Sequence, residues 1–178
     1  VQTCALPISA KEISEISALV IPGGESTTIS KLAKSFDLLD LIREKIASGM
    51  PTFGTCAGMI LLANKIEDGI KDQESFGGLD ITVRRNAFGR QVDSFEIDLQ
   101  FKGITDPKIH AVFIRAPWVE SVAADVEVLA TIVDSSGKNH PVAVMQKNIL
   151  ATAFHPELTA DNRVHKFFVE NLCRQRVN

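Results

Sequence analysis

The sequence predicts an α/β sandwich with a mixed sheet, and three observations carry this prediction. The first half of the chain alternates short apolar strands with helical segments, and the second half is rich in strands; this order is typical of a mixed sheet covered by helices. The chain has 178 residues, of which 45% are hydrophobic. This is enough for one well-buried core, and the sequence contains no repeat or linker. We therefore expect a single domain over residues 9–178.

The first half begins with a predicted strand at Ser17–Ile21, which the turn Pro22–Gly24 follows. Glu25–Thr27 then supplies the hydroxyl and carboxylate groups that suit the free N–H groups of a helix N-terminus. Gly49 and Pro51 are predicted to end this helix. Its apolar residues recur at helical spacing and form one face: Ile29, Leu32, Ala33, Phe36, Leu39, Ile42 and Ile46.

The second half is predicted to consist mainly of strands after a polar, glycine-containing loop at residues 67–80. Alternation of apolar residues is clearest in the second of these strands. A helix is predicted at the end of the chain, over Asp161–Gln175. The predicted strands are Ile81–Arg84, Ser94–Phe101, Ala111–Ile114, Val126–Ile132, Val142–Met145 and Ile149–Phe154.

A strand that leads directly into a cysteine and then a helix is the first candidate for chemistry. Thr52–Thr55 is predicted to be a buried strand and Ala57–Lys65 an apolar helix, which places Cys56 at a tight corner with its side chain exposed at the carboxyl edge of the sheet. The helix N-terminus favours the thiolate form and supplies one donor for an oxyanion. Because many cysteines are simply small core residues, an inert Cys56 remains an alternative.

His155 and Glu157 follow the strand Ile149–Phe154 and are separated by Pro156. Residues two apart in extended chain point the same way, so the carboxylate can orient the imidazole and stabilise its charged form. Together with Cys56 they would supply a nucleophile, a base and an orienting group for acyl transfer through a thioester. The alternative is a surface turn without function. The other three histidines are predicted to be structural: His110, His140 and His165.

The turn Pro22–Ser26 is the third candidate. Two glycines after a strand allow backbone N–H groups to face a ligand, so Gly23 or Gly24 could supply a second oxyanion donor. A glycine-rich turn before a helix can also hold phosphate. However, neither a Walker lysine nor a complete G-x-G-x-x-G pattern follows it.

The composition restricts the classes of binding partner and the cellular compartment that we expect for this protein. The net charge of −3 argues against nucleic acid and against a polybasic membrane surface, and no apolar run approaches the roughly 20 residues of a membrane span. Cys4, Cys56 and Cys173 are an odd number without metal-type spacing. We therefore expect no metal site, no disulfide framework and a cytoplasmic location.

Three motifs, Pro22–Thr28, Gly54–Gly58 and Phe154–Thr159, resemble in their order those of class I (triad-type) glutamine amidotransferases. Two more, Arg85–Gln91 and Phe113–Pro117, are similar to the glutaminase subunits of pyridoxal 5′-phosphate synthases, which serve vitamin B6 biosynthesis. The resemblance covers residues 11–172. It implies a three-layer, flavodoxin-like sandwich with a mixed, largely parallel central sheet.

The resemblance also implies residue roles. Cys56 would attack the side-chain amide of L-glutamine, His155 would act as base and then acid, and Glu157 would orient His155. Gly24, or Gly23, and the N–H of Ala57 would form the oxyanion hole. Ammonia would pass to the synthase subunit, and no organic cofactor is implied. The implied substrate-binding residues are Gly23, Gly24, Glu25, Ser26, Arg85, Ile114 and Arg115.

An arginine suits the α-carboxylate of glutamine because it can bind a carboxylate with two hydrogen bonds. A surface ion pair is the alternative for Arg85 and Arg115.

Two rival functions remain for the whole chain. One is a glutaminase that serves another amidotransferase, against which the Arg85–Gln91 and Phe113–Pro117 motifs speak. The other is an inactive binding module, which should lack one member of the triad.

Residues 1–8 fit neither the helical nor the strand period and are interpreted as a ragged or foreign segment. The resemblance implies an N-terminal strand and helix that this sequence does not contain. From this we expect a chain that is aggregation-prone or poorly active.

Overall fold

The structure, a computed structural model, describes residues 9–69, 73–85, 94–134 and 136–174. The predicted foreign segment at residues 1–8, residues 86–91 of the Arg85–Gln91 motif, and Gln175 lie outside these ranges. The helices are α1 (Ala10–Glu15), α2 (Ser26–Ser35), α3 (Leu39–Ala47), α4 (Ala57–Leu62) and α5 (Arg163–Phe168). The strands are β1 (Leu19–Ile21), β2 (Thr52–Thr55), β3 (Ala63–Glu67), β4 (Leu79–Arg84), β5 (Ser94–Leu99), β6 (Ile109–Ile114), β7 (Trp118–Val122), β8 (Glu127–Val133), β9 (Asn139–Gln146) and β10 (Ile149–Thr152).

The central sheet has five strands in the order β1-β2-β10-β9-β8. Strands β1, β2 and β10 are parallel, whereas β9 and β8 continue the sheet with antiparallel pairing. A smaller sheet has the order β3-β4-β7, and β5 and β6 form an antiparallel pair. The predicted α/β class with a mixed sheet is therefore confirmed, and the parallel part of the sheet is the part that carries Cys56.

Strand β2 shows how the layers are arranged. The ring of Phe53 lies 5.5 Å from that of Phe168 on α5. Its neighbour Gly54 faces the other side, where an added Cβ would lie 2.6 Å from the backbone carbon of Gly58 on α4. Because successive residues of a strand face opposite sides of the sheet, α4 and α5 cover opposite faces. The result is a three-layer arrangement around the central sheet.

Aromatic packing connects the β5–β6 pair to the end of β10. Phe113 stacks on Phe95 with ring centroids 4.5 Å apart and contacts Phe154 at 5.7 Å. Phe113 and Phe154 are fully buried and belong to one hydrophobic cluster that extends from Ile13 to Leu172. This packing holds the chain in place immediately before His155. Among the described residues, no helix is long and apolar enough to cross a membrane.

The single amphipathic helix predicted between Glu25 and Gly49 is two helices, α2 and α3. The break is at Asp37, whose φ is 56°. There the N–H of Leu38 donates to the carbonyl of Ala33 and the N–H of Asp37 to that of Lys34, which is the hydrogen-bond pattern of a Schellman helix end. Aspartate tolerates this left-handed conformation better than most residues. The predicted end of α3 at Gly49 is confirmed, with a φ of 87°.

The prediction of one helix from Ala57 to Lys65 is also wrong, because α4 ends at Leu62 and the chain continues as β3. The carbonyl of Leu61 accepts hydrogen bonds from the N–H groups of Phe76 and Gly77, so it is not available to continue the helix. The last helix is shorter than predicted: α5 begins at Arg163 and passes into a π-helical turn, Val169–Cys173. Helix α1 and strand β7 were not predicted.

Candidate active site

The predicted corner at Cys56 is confirmed by the backbone. Cys56 lies between β2 and α4 with φ 49° and ψ −100°, a conformation that costs energy for any residue with a side chain. Its N–H donates to the carbonyl of Thr152 on β10 over 2.8 Å. Gly54 and Gly58 let β2 and α4 approach closely, because a Cβ at Gly58 would overlap the carbonyl oxygen of Ile21. The corner is thus held by β10, α4 and β1.

The expectation that the Cys56 side chain is exposed is wrong. The residue is 7% exposed. Its Sγ lies 3.8 Å from the carbonyl oxygen of Ile114, at the end of β6, and His155 lies against it from the segment that follows β10. The thiol is therefore enclosed by two neighbouring chain segments rather than open to solvent.

His155 and Glu157 lie side by side, with Nδ1 of the imidazole 2.8 Å from Oε1 of the carboxylate. The reason differs from the predicted one, because residues Pro156–Leu158 form a 3-10 turn instead of extended chain. The backbone N–H of His155 donates to the carbonyl of Val112, which fixes the start of this turn against β6. The imidazole is 12% exposed and the carboxylate 37%.

The charge state of His155 follows from its two neighbours. The hydrogen bond with the Cys56 side chain and then that with Glu157 raise the pKa of His155 to about 10, although burial opposes this change. Burial would raise the pKa of Glu157, but the hydrogen bond from His155, a backbone hydrogen bond and the attraction to His155 together outweigh it and keep this pKa below its usual range. At neutral pH the arrangement is therefore an imidazolium between Cys56 and a carboxylate.

The glycine turn after β1 packs directly on this imidazole. A Cβ at Gly23 would overlap Cε1 of His155 and lie 2.8 Å from Nδ1, so only glycine allows the ring to occupy its place. Gly24 follows with a φ of 140°, a conformation that favours glycine. Ala57, the other residue of the predicted oxyanion hole, is the first residue of α4 and is 1% exposed. The turn and the helix start thus lie on either side of the Cys56–His155 contact.

A second group of polar side chains lies next to the glycine turn. Arg85 donates from Nη2 to Oε1 of Glu25 over 3.0 Å and from Nη1 to Oε1 of Gln73 over 2.9 Å. The amide nitrogen of Gln73 donates in turn to Oγ of Ser26 over 3.0 Å. Three predicted substrate-binding residues are thus connected. Sequence reasoning missed Gln73, because nothing distinguishes it from the other polar residues of its loop.

Glu25 also caps helix α2. Its carboxylate accepts hydrogen bonds from the N–H of Thr28, over 2.7 Å, and from the Thr27 hydroxyl. Although burial opposes ionisation, these bonds lower the pKa of Glu25 to about 2. The partner of Arg85 is therefore a carboxylate at all physiological pH values, and Arg85, 14% exposed, is paired rather than a free surface cation.

The remaining predicted residues, Ile114 and Arg115, follow each other at the end of β6. The carbonyl of Ile114 faces the thiol of Cys56, and its side chain is 40% exposed. Arg115 is exposed, with a left-handed φ of 43°, so the chain turns sharply beside the thiol. The structure thus brings Ile114 next to Cys56 and leaves Arg115 at the surface.

Residues 7–174 match the SNO glutamine amidotransferase family. The chain belongs to this family. It is 58% identical, over 165 residues, to pyridoxal 5′-phosphate synthase subunit PdxT of Nocardioides sp., covering 93% of this chain and 82% of that protein. It is 59% identical over 160 residues to PdxT of Mycobacteroides abscessus, covering 90% and 80% of the two chains.

A solved structure gives the same result. The crystal structure of a glutamine amidotransferase matches this chain with a TM-score of 0.84 and 44% sequence identity. The match covers 94% of this chain and 85% of the other. The expectation of a glutamine amidotransferase, drawn from the motifs, is confirmed, and the Cys56 corner lies in the matched fold of this family.

Proposed function

We propose that this chain is the glutaminase subunit of a pyridoxal 5′-phosphate synthase. It hydrolyses L-glutamine to L-glutamate and ammonia through a thioester on Cys56, and the ammonia passes to a synthase subunit that makes pyridoxal 5′-phosphate. The observation that carries this proposal is the contact of Cys56 with His155, whose Nδ1 lies 2.8 Å from Oε1 of Glu157. Relatives that are 58–59% identical and named as PdxT support the choice of pathway.

In the first half of the reaction, Cys56 attacks the side-chain carbonyl carbon of glutamine. His155 already carries the proton as an imidazolium at neutral pH, and this charge next to the sulfur stabilises the attacking thiolate. The same proton then goes to the leaving nitrogen, so ammonia departs and the γ-glutamyl thioester remains. Glu157 holds the ring in place and stabilises its positive charge throughout.

In the second half, water attacks the thioester carbonyl carbon. His155, now neutral, removes a proton from the water and keeps it as the Cys56 sulfur leaves as a thiolate. The product is glutamate, and the pair returns to its starting state. Both halves pass through a tetrahedral oxyanion, for which the backbone N–H groups of Ala57 and of Gly24 are the proposed donors.

The polar group next to the glycine turn is the proposed binding site for the amino-acid end of the substrate. Arg85 binds the α-carboxylate, and the turn Gly23–Ser26 with Ile114 and Arg115 surrounds the rest of glutamine. The partial burial of Arg85 supports this role over that of a surface ion pair. A reduced thiol is necessary for this chemistry, which fits the proposed cytoplasmic location.

The experiment is a glutaminase assay with two matched cysteine variants. Ammonia release is measured for the wild type, Cys56→Ser and Cys173→Ser, each alone and with the synthase subunit of pyridoxal 5′-phosphate biosynthesis. Cys173 is the matched control because it is a second free cysteine and lies in the π-helical turn. We expect hydrolysis by the wild type and Cys173→Ser only. Equal activity in Cys56→Ser, or no hydrolysis by the wild type with the synthase subunit, would contradict the proposal.

A further inference from the structure

We infer that Gln73 is a positioning residue that makes the site specific for the α-carboxylate of glutamine: its carboxamide holds Arg85 without adding a second anion to the guanidinium, whose anionic partner among the described residues is Glu25. This inference rests on the proposed function and deepens it. It concerns a residue in the loop between β3 and β4, which lies 12 residues from Arg85 and 47 from Ser26 and joins their side chains.

A carboxamide suits position 73 because it can accept one hydrogen bond and donate another. Oε1 of Gln73 accepts a hydrogen bond from Arg85, and Nε2 donates one to Ser26, so both ends of the group are engaged. A hydrocarbon side chain can make neither bond, and a carboxylate can keep the contact with Ser26 only by accepting from its hydroxyl. Ser26 is 2% exposed, so its hydroxyl would have to find another partner if Gln73 were removed.

The charges around Arg85 explain the preference for a substrate carboxylate. Arg85 already pairs with one carboxylate, that of Glu25, which remains ionised because its pKa is about 2. Gln73 holds a second nitrogen of the guanidinium without adding charge. The pair of Arg85 and Glu25 is therefore neutral before substrate binds, and Gln73 adds no negative charge that would repel the substrate carboxylate. A second acid at position 73 would give a net charge of −1 and would repel that carboxylate.

Gln73 can act as a support because its own segment is held firmly. The carbonyl of Glu74 accepts a hydrogen bond from Ser30 on α2 over 2.8 Å. The carbonyl of Ser75 accepts two from Arg43 on α3, at 3.0 and 2.7 Å. The N–H of Phe76 then donates to the end of α4. The segment is thus attached to three helices, so the backbone next to Gln73 is held without Arg85.

The test compares Gln73→Met, Gln73→Glu and a neighbouring control, Glu74→Gln, in steady-state hydrolysis of L-glutamine. Methionine has a similar length but makes neither hydrogen bond. Glutamate has the same shape and bonds Arg85 more strongly, but adds charge. In the control, the side chain of Glu74 contacts Lys34 and Arg43 instead of the site. Each variant is also checked for an unchanged unfolding midpoint.

We expect KM for L-glutamine to rise about fivefold to tenfold in Gln73→Met and further in Gln73→Glu, with kcat nearly unchanged and Glu74→Gln like the wild type. A residue that only anchored Arg85 would give the opposite order, because a carboxylate is the better anchor. A second substrate, L-glutaminamide, lacks the α-carboxylate. The preference of the wild type for L-glutamine over this amide should fall by the same factors in the Gln73 variants.

The outcomes separate this inference from the proposed function. An active wild type, inactivated by Cys56→Ser, with unchanged KM in both Gln73 variants would overturn the role of Gln73 only. The role would also be overturned if Gln73→Glu bound glutamine better than Gln73→Met, or if kcat fell instead of KM rising. A wild type that does not hydrolyse glutamine with the synthase subunit would overturn both.

Discussion

Replacing Glu157 by glutamine changes one charge next to His155 while keeping the size of the side chain. The bond between Nδ1 of His155 and Oε1 of Glu157 is 2.8 Å long. A hydrogen bond to a charged group contributes about 1.5–3 kcal/mol and a neutral one about 0.5–1.5 kcal/mol, so the variant loses on the order of 1–1.5 kcal/mol of imidazolium stabilisation. This corresponds to about one unit in the pKa of His155.

The same loss of imidazolium stabilisation determines the expected changes in kcat and KM. The imidazolium stabilises the attacking thiolate of Cys56 and then gives its proton to the departing nitrogen. We therefore expect kcat of Glu157→Gln to fall about tenfold. The α-carboxylate is bound elsewhere, by Arg85, so KM for L-glutamine should change little. An ammonia-release assay over a range of glutamine concentrations separates the two parameters.

The free energy of unfolding gives an independent test, because the attraction requires both partners to be charged. The pKa of His155 is raised in the folded state and that of Glu157 is lowered. The stabilisation is therefore greatest between the unfolded pKa values, about 4.3 and 6.5. It declines above that range and is lost as the pH passes about 10, the folded pKa of His155. It is also lost as the pH falls through the lowered pKa of Glu157.

Urea unfolding of the wild type and Glu157→Gln at several pH values measures this difference. We expect the wild type to be more stable near pH 6 and the two proteins to converge above pH 10. Equal pH dependence of both proteins, or a raised KM with unchanged kcat, would show that Glu157 does not stabilise the imidazolium.

Three further variants test other parts of the site. Arg85→Ala should raise KM for L-glutamine by roughly 10- to 150-fold, the equivalent of a charge-assisted hydrogen bond of about 1.5–3 kcal/mol. An unchanged KM would show that Arg85 forms only a surface ion pair. Gly23→Ala should lower kcat, because its methyl group overlaps the His155 ring and forces it away from Cys56; normal turnover would show that the ring can move without cost. Gly58→Ala should lower the free energy of unfolding by about 1–3 kcal/mol, since its methyl group meets the backbone carbonyl of Ile21, and urea unfolding checks this value.

The sequence predicted the parts of the site that depend on local chain geometry. The corner at Cys56 follows from an apolar strand, small residues and a helix in direct succession. His155 and Glu157 are only two residues apart, so they meet in the 3-10 turn as well as they would in extended chain. In these cases the residues that form the feature are close in sequence, so the local pattern was sufficient to predict it.

The parts that the sequence did not predict depend on distant partners. Helix α4 ends early because Phe76 and Gly77 take the carbonyl of Leu61, and no pattern within Ala57–Lys65 reveals this. Gln73 meets Ser26 across 47 residues of chain, and its role depends on a segment anchored by other helices. The low exposure of Cys56 likewise results from Ile114, 58 residues away.

Detection of the thioester on Cys56 is the most direct test of the proposed mechanism of glutamine hydrolysis. The wild type is mixed with L-glutamine and the synthase subunit, quenched in acid during turnover and analysed by intact-mass and peptide mass spectrometry. We predict a mass increase of one γ-glutamyl group on the peptide that contains Cys56, absent from Cys56→Ser and retained in Cys173→Ser. Turnover without any adduct on this peptide, or an adduct on another residue, would contradict it.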